Sequence, residues 1–157
     1  MLHLTINGRP VTAEPGDTIF TAARKAGISI PSLCVSHHLA PFGSCRLCVC
    51  EIEGQSGTPA SCTTSVSPAM VVRTDSERLA RHRHNLVELY LSEQPENGEV
   101  SGSLRELALA CGVNRVRYPD GTHSKRAGVR DDSNPFFTFD NAACISCARC
   151  VRACDEI

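Results

Sequence analysis

Ten of the 157 residues are cysteine, and eight of them fall into two spaced sets. The first is Cys34-x10-Cys45-x2-Cys48-x13-Cys62, and the second is Cys144-x2-Cys147-x2-Cys150-x3-Cys154. A chain this rich in cysteine is either secreted and disulfide-bonded or uses its thiolates for metal or redox chemistry. Secretion calls for a basic stretch followed by an apolar run. Met1-Leu2-His3-Leu4-Thr5-Ile6-Asn7-Gly8 instead alternates apolar and polar residues, as a strand does. No apolar stretch nears the roughly 20 residues that span a bilayer. The expectation is a cytoplasmic chain with no membrane span, its cysteines kept for metal.

Composition narrows the options further. Hydrophobic residues are 41% and charged residues 21%, which fits a globular chain. Aromatics are only 4% and Trp is absent, so a large aromatic core is not expected. The net charge of −1 steers the chain to neither nucleic acid nor an anionic membrane.

Periodicity predicts a small α+β unit first. Leu2, Leu4 and Ile6 alternate, Asn7-Gly8 suits a tight turn, and Arg9 to Glu14 complete a hairpin. Pro15-Gly16-Asp17 opens a helix capped by Asp17. Ile19, Ala22, Ala23 and Ala26 lie on one face, and Gly27 ends it. A buried segment from Ile28 to Leu33, the cysteine loop, a strand over Val49 to Glu53 and an apolar strand at Met70-Val71-Val72 follow. This order predicts one helix laid across a sheet.

Beyond residue 73 the period becomes helical. Thr74 with Glu77 reads as a capping box, and Leu79, Leu86, Val87, Tyr90 and Leu91 share helical spacing. Ser92 to Gly102 reads as a loop. Ser103 with Glu106 reads as a second capping box. Leu104, Leu107, Ala108 and Cys111 form one face, stopped by Gly112. Asn114 to Asn134 is a polar connector, and Phe136, Phe137 and Phe139 lead into the second cysteine set.

Four thiolates suit a [2Fe–2S] cluster, in which each ferric ion takes two protein sulfurs. They also suit tetrahedral zinc, although zinc ribbons pair two short knuckles and only Cys45-x2-Cys48 is one here. Gly43, Ser44, Ser61 and Thr63 are small enough to let backbone N–H groups approach the sulfurs. Arg46 either offsets cluster charge or is solvated. Cys50, two residues past Cys48, reads as a small buried apolar residue.

Ile30-Pro31-Ser32-Leu33-Cys34, Gly43-Ser44-Cys45-Arg46-Leu47-Cys48, Glu51-Ile52-Glu53-Gly54 and Ala60-Ser61-Cys62 resemble the N-terminal β-grasp ferredoxin region of a larger group. That group comprises NAD-linked molybdenum or tungsten formate dehydrogenase alpha subunits, the large iron–sulfur subunit of respiratory complex I, and iron–sulfur subunits of NAD-reducing hydrogenases. The resemblance covers almost the whole chain. It implies a β-grasp [2Fe–2S] domain at 1–75 with Cys34, Cys45, Cys48 and Cys62 as ligands. A helical connector at 76–133 and a partial bacterial-ferredoxin-like [4Fe–4S] module at 134–157 would follow. Partners would be a molybdopterin or tungsten catalytic domain or subunit and a flavin/NAD diaphorase subunit.

The second set has the bacterial [4Fe–4S] spacing, in which three cysteines hold one cluster and the fourth holds another. Cys144, Cys147 and Cys150 would then serve one [4Fe–4S] cluster and Cys154 a second. Asn134-Pro135-Phe136, Arg149, Val151-Arg152 and Asp155-Glu156 resemble the formate dehydrogenase form, while Asp155 stands where simple ferredoxins often carry Pro. By resemblance a further cysteine run and a molybdopterin domain should follow Ile157. The favoured expectation is the N-terminal piece of a longer protein, ahead of a short subunit relying on a partner and of a truncated product. In the group, Leu-Ser-Asp/Glu precedes a histidine ligand of a middle cluster. Here Leu91-Ser92-Glu93 precedes Gln94, and Asn97, Gly98, Glu99, Val100 and Ser101 fill the stretch where cysteines are expected. The middle cluster is therefore expected to be absent, with Cys111 simply buried.

His82 and His84 are two apart and do not share a helical face, so they read as solvated; His37 and His38 read as loop residues, since four cysteines already satisfy a cluster without a Rieske-type histidine. Arg115, Arg117, Lys125, Arg126 and Arg130 read as a solvated linker. Nothing resembles a phosphate loop, a dinucleotide fingerprint or a nucleophile–base set. The expected work is electron transfer, with no substrate-converting site in this chain.

Overall fold

The computed structural model describes residues 1–94, 100, 102–118 and 130–157. It divides into two compact units, one of Met1–Arg81 with Ala148–Ile157 and one of His82–Cys147.

The first unit is built on a mixed four-stranded sheet. Strands β1 (Leu2–Ile6) and β2 (Arg9–Ala13) form the expected antiparallel hairpin, Leu4 facing Val11 across it. Asn7 (φ 51°) and Gly8 (φ 75°) both take left-handed backbone, as a tight turn matching the strand twist requires. Strand β4 (Val71–Arg73) lies parallel to β1, and β3 (Glu51–Ile52) is antiparallel to β4, giving the order β2-β1-β4-β3. Asn7 also clasps the far end of β4. Its Nδ2 donates to Thr74 Oγ1 and its Oδ1 accepts from the Thr74 N–H, each at 2.7 Å.

Helix α1 (Ile19–Lys25) covers the sheet with Ile19, Ala22 and Ala23, which are buried with Leu4, Ile6, Val11 and Val72. The cap is Thr18, one residue later than the pattern suggests: its Oγ1 accepts from the Thr21 N–H at 3.1 Å. Asp17 turns back instead, accepting from the Glu14 N–H at 2.9 Å and from Lys25 Nζ at 2.9 Å. Gly27 (φ 72°) ends the helix as expected.

Strand β3 is shorter than the expected 49–53. The Cys50 N–H bonds Pro59 O, and the Ser61 N–H bonds Cys48 O, so residues 48–50 are tied to the 59–61 segment, while the Glu53 N–H still bonds Val71 O of β4. Helix α2 (Glu77–Ser92) begins without the Thr74–Glu77 box, because Thr74 is held by Asn7. Ser76 caps it, its Oγ accepting from the Leu79 N–H at 3.3 Å. Helix α4 (Arg149–Glu156) also belongs to this unit.

The second unit contains most of α2, helix α3 (Gly102–Ala110) and a two-stranded ribbon of β5 (Arg130–Asp131) and β6 (Phe139–Asp140). Val87, Leu104, Ala108 and Val113 are buried. Ser103 sits inside the first turn of α3 rather than capping it. Two residues expected to be solvated are partnered here. His84 Nδ1 donates to Cys111 O at 3.0 Å, and Arg117 Nε donates to both carboxylate oxygens of buried Glu88 at 2.9 Å. That hydrogen bonding holds the Glu88 carboxyl below its usual range. Gln94 is buried, and its side-chain O and N have no partner among the described residues. Much of the stretch expected to have lost the middle cluster, and Lys125 and Arg126, lie outside the described residues. Among the described residues no helix is long and apolar enough to cross a membrane.

Candidate metal centre

Cys34, Cys45, Cys48 and Cys62 are all buried in the first unit. Three features bring them in from distant stretches of chain. The buried run through Ile28, Ile30 and Leu33 seats Cys34. The loop then turns at Gly43 (φ 70°) and again at Arg46 (φ 56°), which places Cys45 and Cys48 on the inside. Helix α1 fixes the last cysteine: its Ile19 N–H bonds Thr64 O at 2.9 Å and its Phe20 N–H bonds Ser61 O at 3.0 Å. The free N–H groups that every helix start leaves are thus spent on the two sides of Cys62. Ser61, buried beside it, donates through Oγ to Cys48 O at 2.6 Å.

The sulfurs meet two by two. Cys34 Sγ donates to Cys45 Sγ at 3.4 Å. Cys62 is hydrogen-bonded in the same sense to Cys48. A tetrahedral metal with bonds to sulfur of about 2.3 Å sets two sulfurs about 3.8 Å apart, so the Cys34–Cys45 spacing is close to that of two ligands on one metal. Among the described residues no three His, Cys, Asp or Glu side chains converge as a single ion requires. The four sulfurs thus stand as two pairs, Cys34 with Cys45 and Cys48 with Cys62.

Each sulfur is also surrounded by backbone N–H groups. Leu33 donates to Cys45 Sγ at 3.4 Å, and Cys45 donates to Cys34 Sγ at 3.5 Å. Ser44 donates to Cys34, Leu47 to Cys45 and Gly43 to Cys62. A side chain at Gly43 would crowd this cradle, since a Cβ there would lie 3.2 Å from Thr63 Cγ2. The shared proton in each pair splits the thiols. The hydrogen bond from Cys34 lowers the Cys45 thiol, and that from Cys62 lowers the Cys48 thiol. The donors Cys34 and Cys62 are pushed up by the same bonds, with burial adding to the effect. N–H groups aimed at sulfur stabilise negative charge on it, which suits the anionic ligands a metal cluster needs.

The side chains nearby play smaller parts. Arg46 is exposed, its guanidinium bonds Thr58 O at 3.2 Å, and its left-handed backbone (φ 56°) bends the loop. Cys50 is buried in the core, its thiol donating to Pro59 O.

The second cysteine set is placed differently. Cys144 and Cys147 are half-buried in the second unit, while Cys150 and Cys154 are exposed on α4 of the first. Left-handed backbone at Ser146 (φ 54°) and Ala148 (φ 57°) bends the run, and the Ser146 N–H donates to Cys144 Sγ at 3.4 Å. Arg152, absent from the candidate ligands, is buried on α4 beside the first loop. Its Nη1 donates to Cys34 O at 3.4 Å, and its position 118 residues from Cys34 leaves no local sequence signal.

Residues 1–77 match the family described as a 2Fe-2S iron-sulfur cluster binding domain. Over 160 residues the chain is 36% identical to the NADPH-Fe(3+) oxidoreductase subunit alpha of Geobacter sulfurreducens, covering 100% of this chain and 19% of that protein. It is 34% identical over 163 residues to the mitochondrial NADH-ubiquinone oxidoreductase 78 kDa subunit of Candida albicans, covering 99% of this chain and 22% of the relative. The chain thus spans about a fifth of the length of these curated relatives. Among solved structures it is similar to a chain of an NAD+-reducing [NiFe]-hydrogenase in the H2-reduced state. There the TM-score is 0.87 and the identity 33%, over 99% of this chain and 66% of that one.

Proposed function

With residues 1–77 matched to a 2Fe-2S cluster binding domain, we propose that Cys34, Cys45, Cys48 and Cys62 hold a [2Fe–2S] cluster, two sulfurs to each iron. The chain then passes single electrons within an NAD(P)-linked oxidoreductase. The observation that carries this reading is the two-by-two pairing of four buried thiols inside a shell of backbone N–H donors. When bound, the cluster supplies one-electron chemistry of iron between ferric and ferrous states. The chain's own residues exclude water, hold the sulfurs in position and stabilise their negative charge through the Leu33, Gly43, Ser44 and Leu47 N–H groups. The sheet order with a single covering helix supports a β-grasp fold for this domain.

The names of the relatives share a nicotinamide-linked reaction, which supports a flavin/NAD subunit as one electron partner. Formate dehydrogenase, with a molybdopterin or tungsten site as the other partner, is our reading of the tail around Asn134-Pro135-Phe136 and Asp155-Glu156. A complex I or hydrogenase subunit is the alternative, supported by the overall similarity. In either case residues 1–75 carry the first cluster and 76–133 form the connector. Residues 134–157 begin a [4Fe–4S] module, with Cys144, Cys147 and Cys150 on one cluster and Cys154 on another.

The test is anaerobic purification followed by iron and acid-labile sulfide counts and EPR after dithionite reduction. About two irons and two sulfides per chain with a [2Fe–2S] signal are expected when four cysteines ligate one such cluster. An added [4Fe–4S] signal would mean that the tail completes its own ligand set. Zinc without iron would overturn the reading. Formate-dependent reduction of the signal in the native complex separates the formate dehydrogenase reading from its alternative.

A further inference from the structure

Arg152 is the most deeply buried guanidinium of the first unit, with its side chain 9% exposed. Burying a cation is costly unless anions and hydrogen bonds compensate. Its compensation here is incomplete. Glu156 Oε1 lies 3.4 Å from Nε without hydrogen-bond geometry, and neither Nε nor Nη2 has a hydrogen-bond partner among the described residues. Glu156 is also engaged elsewhere, its Oε2 accepting from the Ala40 N–H at 2.7 Å. The guanidinium spends one donor on Cys34 O at 3.4 Å and lies over the Phe42 ring at 5.0 Å from its centroid. All of these groups belong to the loop that carries Cys34 or to the helix that faces it.

We propose that Arg152 is the charge partner of the first cluster, holding its reduction potential up from a helix outside the 2Fe-2S domain. This rests on the proposed ligation by Cys34, Cys45, Cys48 and Cys62. Four thiolates, two sulfides and two ferric ions carry net negative charge, and the charge deepens by one on reduction. A fixed buried cation beside a ligand's backbone stabilises the reduced form more than the oxidised form, because its attraction scales with the charge it faces. The cation's incomplete compensation within the protein is met by the cluster. The same helix carries Cys150 and Cys154 on either side of Arg152. Docking of that helix therefore delivers the charge, and the driving force for electron transfer at the first site depends on how α4, with its Cys150 and Cys154, is seated.

The experiment is a redox titration of the [2Fe–2S] EPR signal in the intact chain, with iron and sulfide counted in every sample. Arg152→Gln is expected to make the cluster roughly tenfold harder to reduce, about 59 mV lower for a one-electron couple. Arg152→Lys should keep most of the wild-type potential. Glu156→Gln, which removes the competing anion yet can still accept from the Ala40 N–H, should shift the potential upward. Shifts of opposite sign are a signature that mere loosening of the helix would not produce. A fully loaded Arg152→Gln chain with unchanged potential overturns the proposal, as do downward shifts in all three variants. If Arg152→Gln does not fold, the sign of the Glu156→Gln shift decides. A wild-type chain without two irons and two sulfides overturns the ligation reading and this one with it, whereas a loaded wild type with flat variants overturns this one alone.

Discussion

The two cysteine sets carry equally readable spacing, yet the fold treats them in opposite ways. Cys34, Cys45, Cys48 and Cys62 are buried, paired and supplied with N–H donors before any metal is considered. Cys150 and Cys154 are exposed, Cys144 and Cys147 are half-buried, and the Ser146 N–H donates to Cys144 Sγ. Spacing therefore reports which residues can ligate, and the surrounding fold reports whether the site is built in advance. The first set inherits its order from a sheet, a helix start and two left-handed turns. The second is divided between the units: Cys150 and Cys154 lie on the eight-residue α4, and Cys144 follows a ribbon whose strands are two residues each.

The largest expected effect separates the two sets outright. Cys48→Ser should abolish the [2Fe–2S] EPR signal, while Cys150→Ser should leave it at full intensity. Equal loss in both variants would show that the sets form one unit. A second effect probes the turns. Gly43→Ala places a side chain at φ 70° with its Cβ 3.2 Å from Thr63 Cγ2. It should lower stability by roughly 1–2 kcal/mol, the cost of left-handed backbone for a residue with a Cβ. Ala148→Gly, the reverse change at φ 57° in the second set, should be neutral or mildly stabilising. Urea midpoints of the two variants measure the difference, and a neutral Gly43→Ala would remove the contrast between a rigid first loop and a tolerant second one. The smallest effect concerns the second unit. The folded Glu88 carboxyl sits below its ordinary value of 4.5 because of Arg117. Its contribution is complete above that pH and fades as pH falls through the lowered folded value. Glu88→Gln should therefore flatten the acid side of the stability–pH profile below about pH 4.5, and an unchanged profile would remove this pair from the account.

Much of the first unit was legible because its signals are local. Asn7-Gly8 between alternating apolar runs specifies its hairpin, and Gly27 after an apolar helical face specifies its stop. The α1 cap was misplaced by one residue because Asp17 and Thr18 are both good caps, and only the fold shows Asp17 drawn off to Glu14 and Lys25. Thr74 was lost as a cap for a similar reason: its partner, Asn7, is 67 residues away. The Glu88–Arg117 pair, 29 residues apart, and the Arg152–Cys34 contact, 118 apart, share that cause. A charged residue looks solvated in a sequence until the fold brings its partner beside it. The cysteine pairing order was likewise hidden, because spacing names four thiols without saying which two will meet.

The parallel pairing of β1 with β4, locked by the Asn7–Thr74 clasp, has a consequence for the time course of folding. The hairpin and α1 can form from near neighbours, but joining residue 5 to residue 71 requires closing nearly the whole domain first, and such non-local contacts form late. The cysteine loop lies inside that closure. Burial of its four thiols therefore belongs to the late part of the domain's assembly.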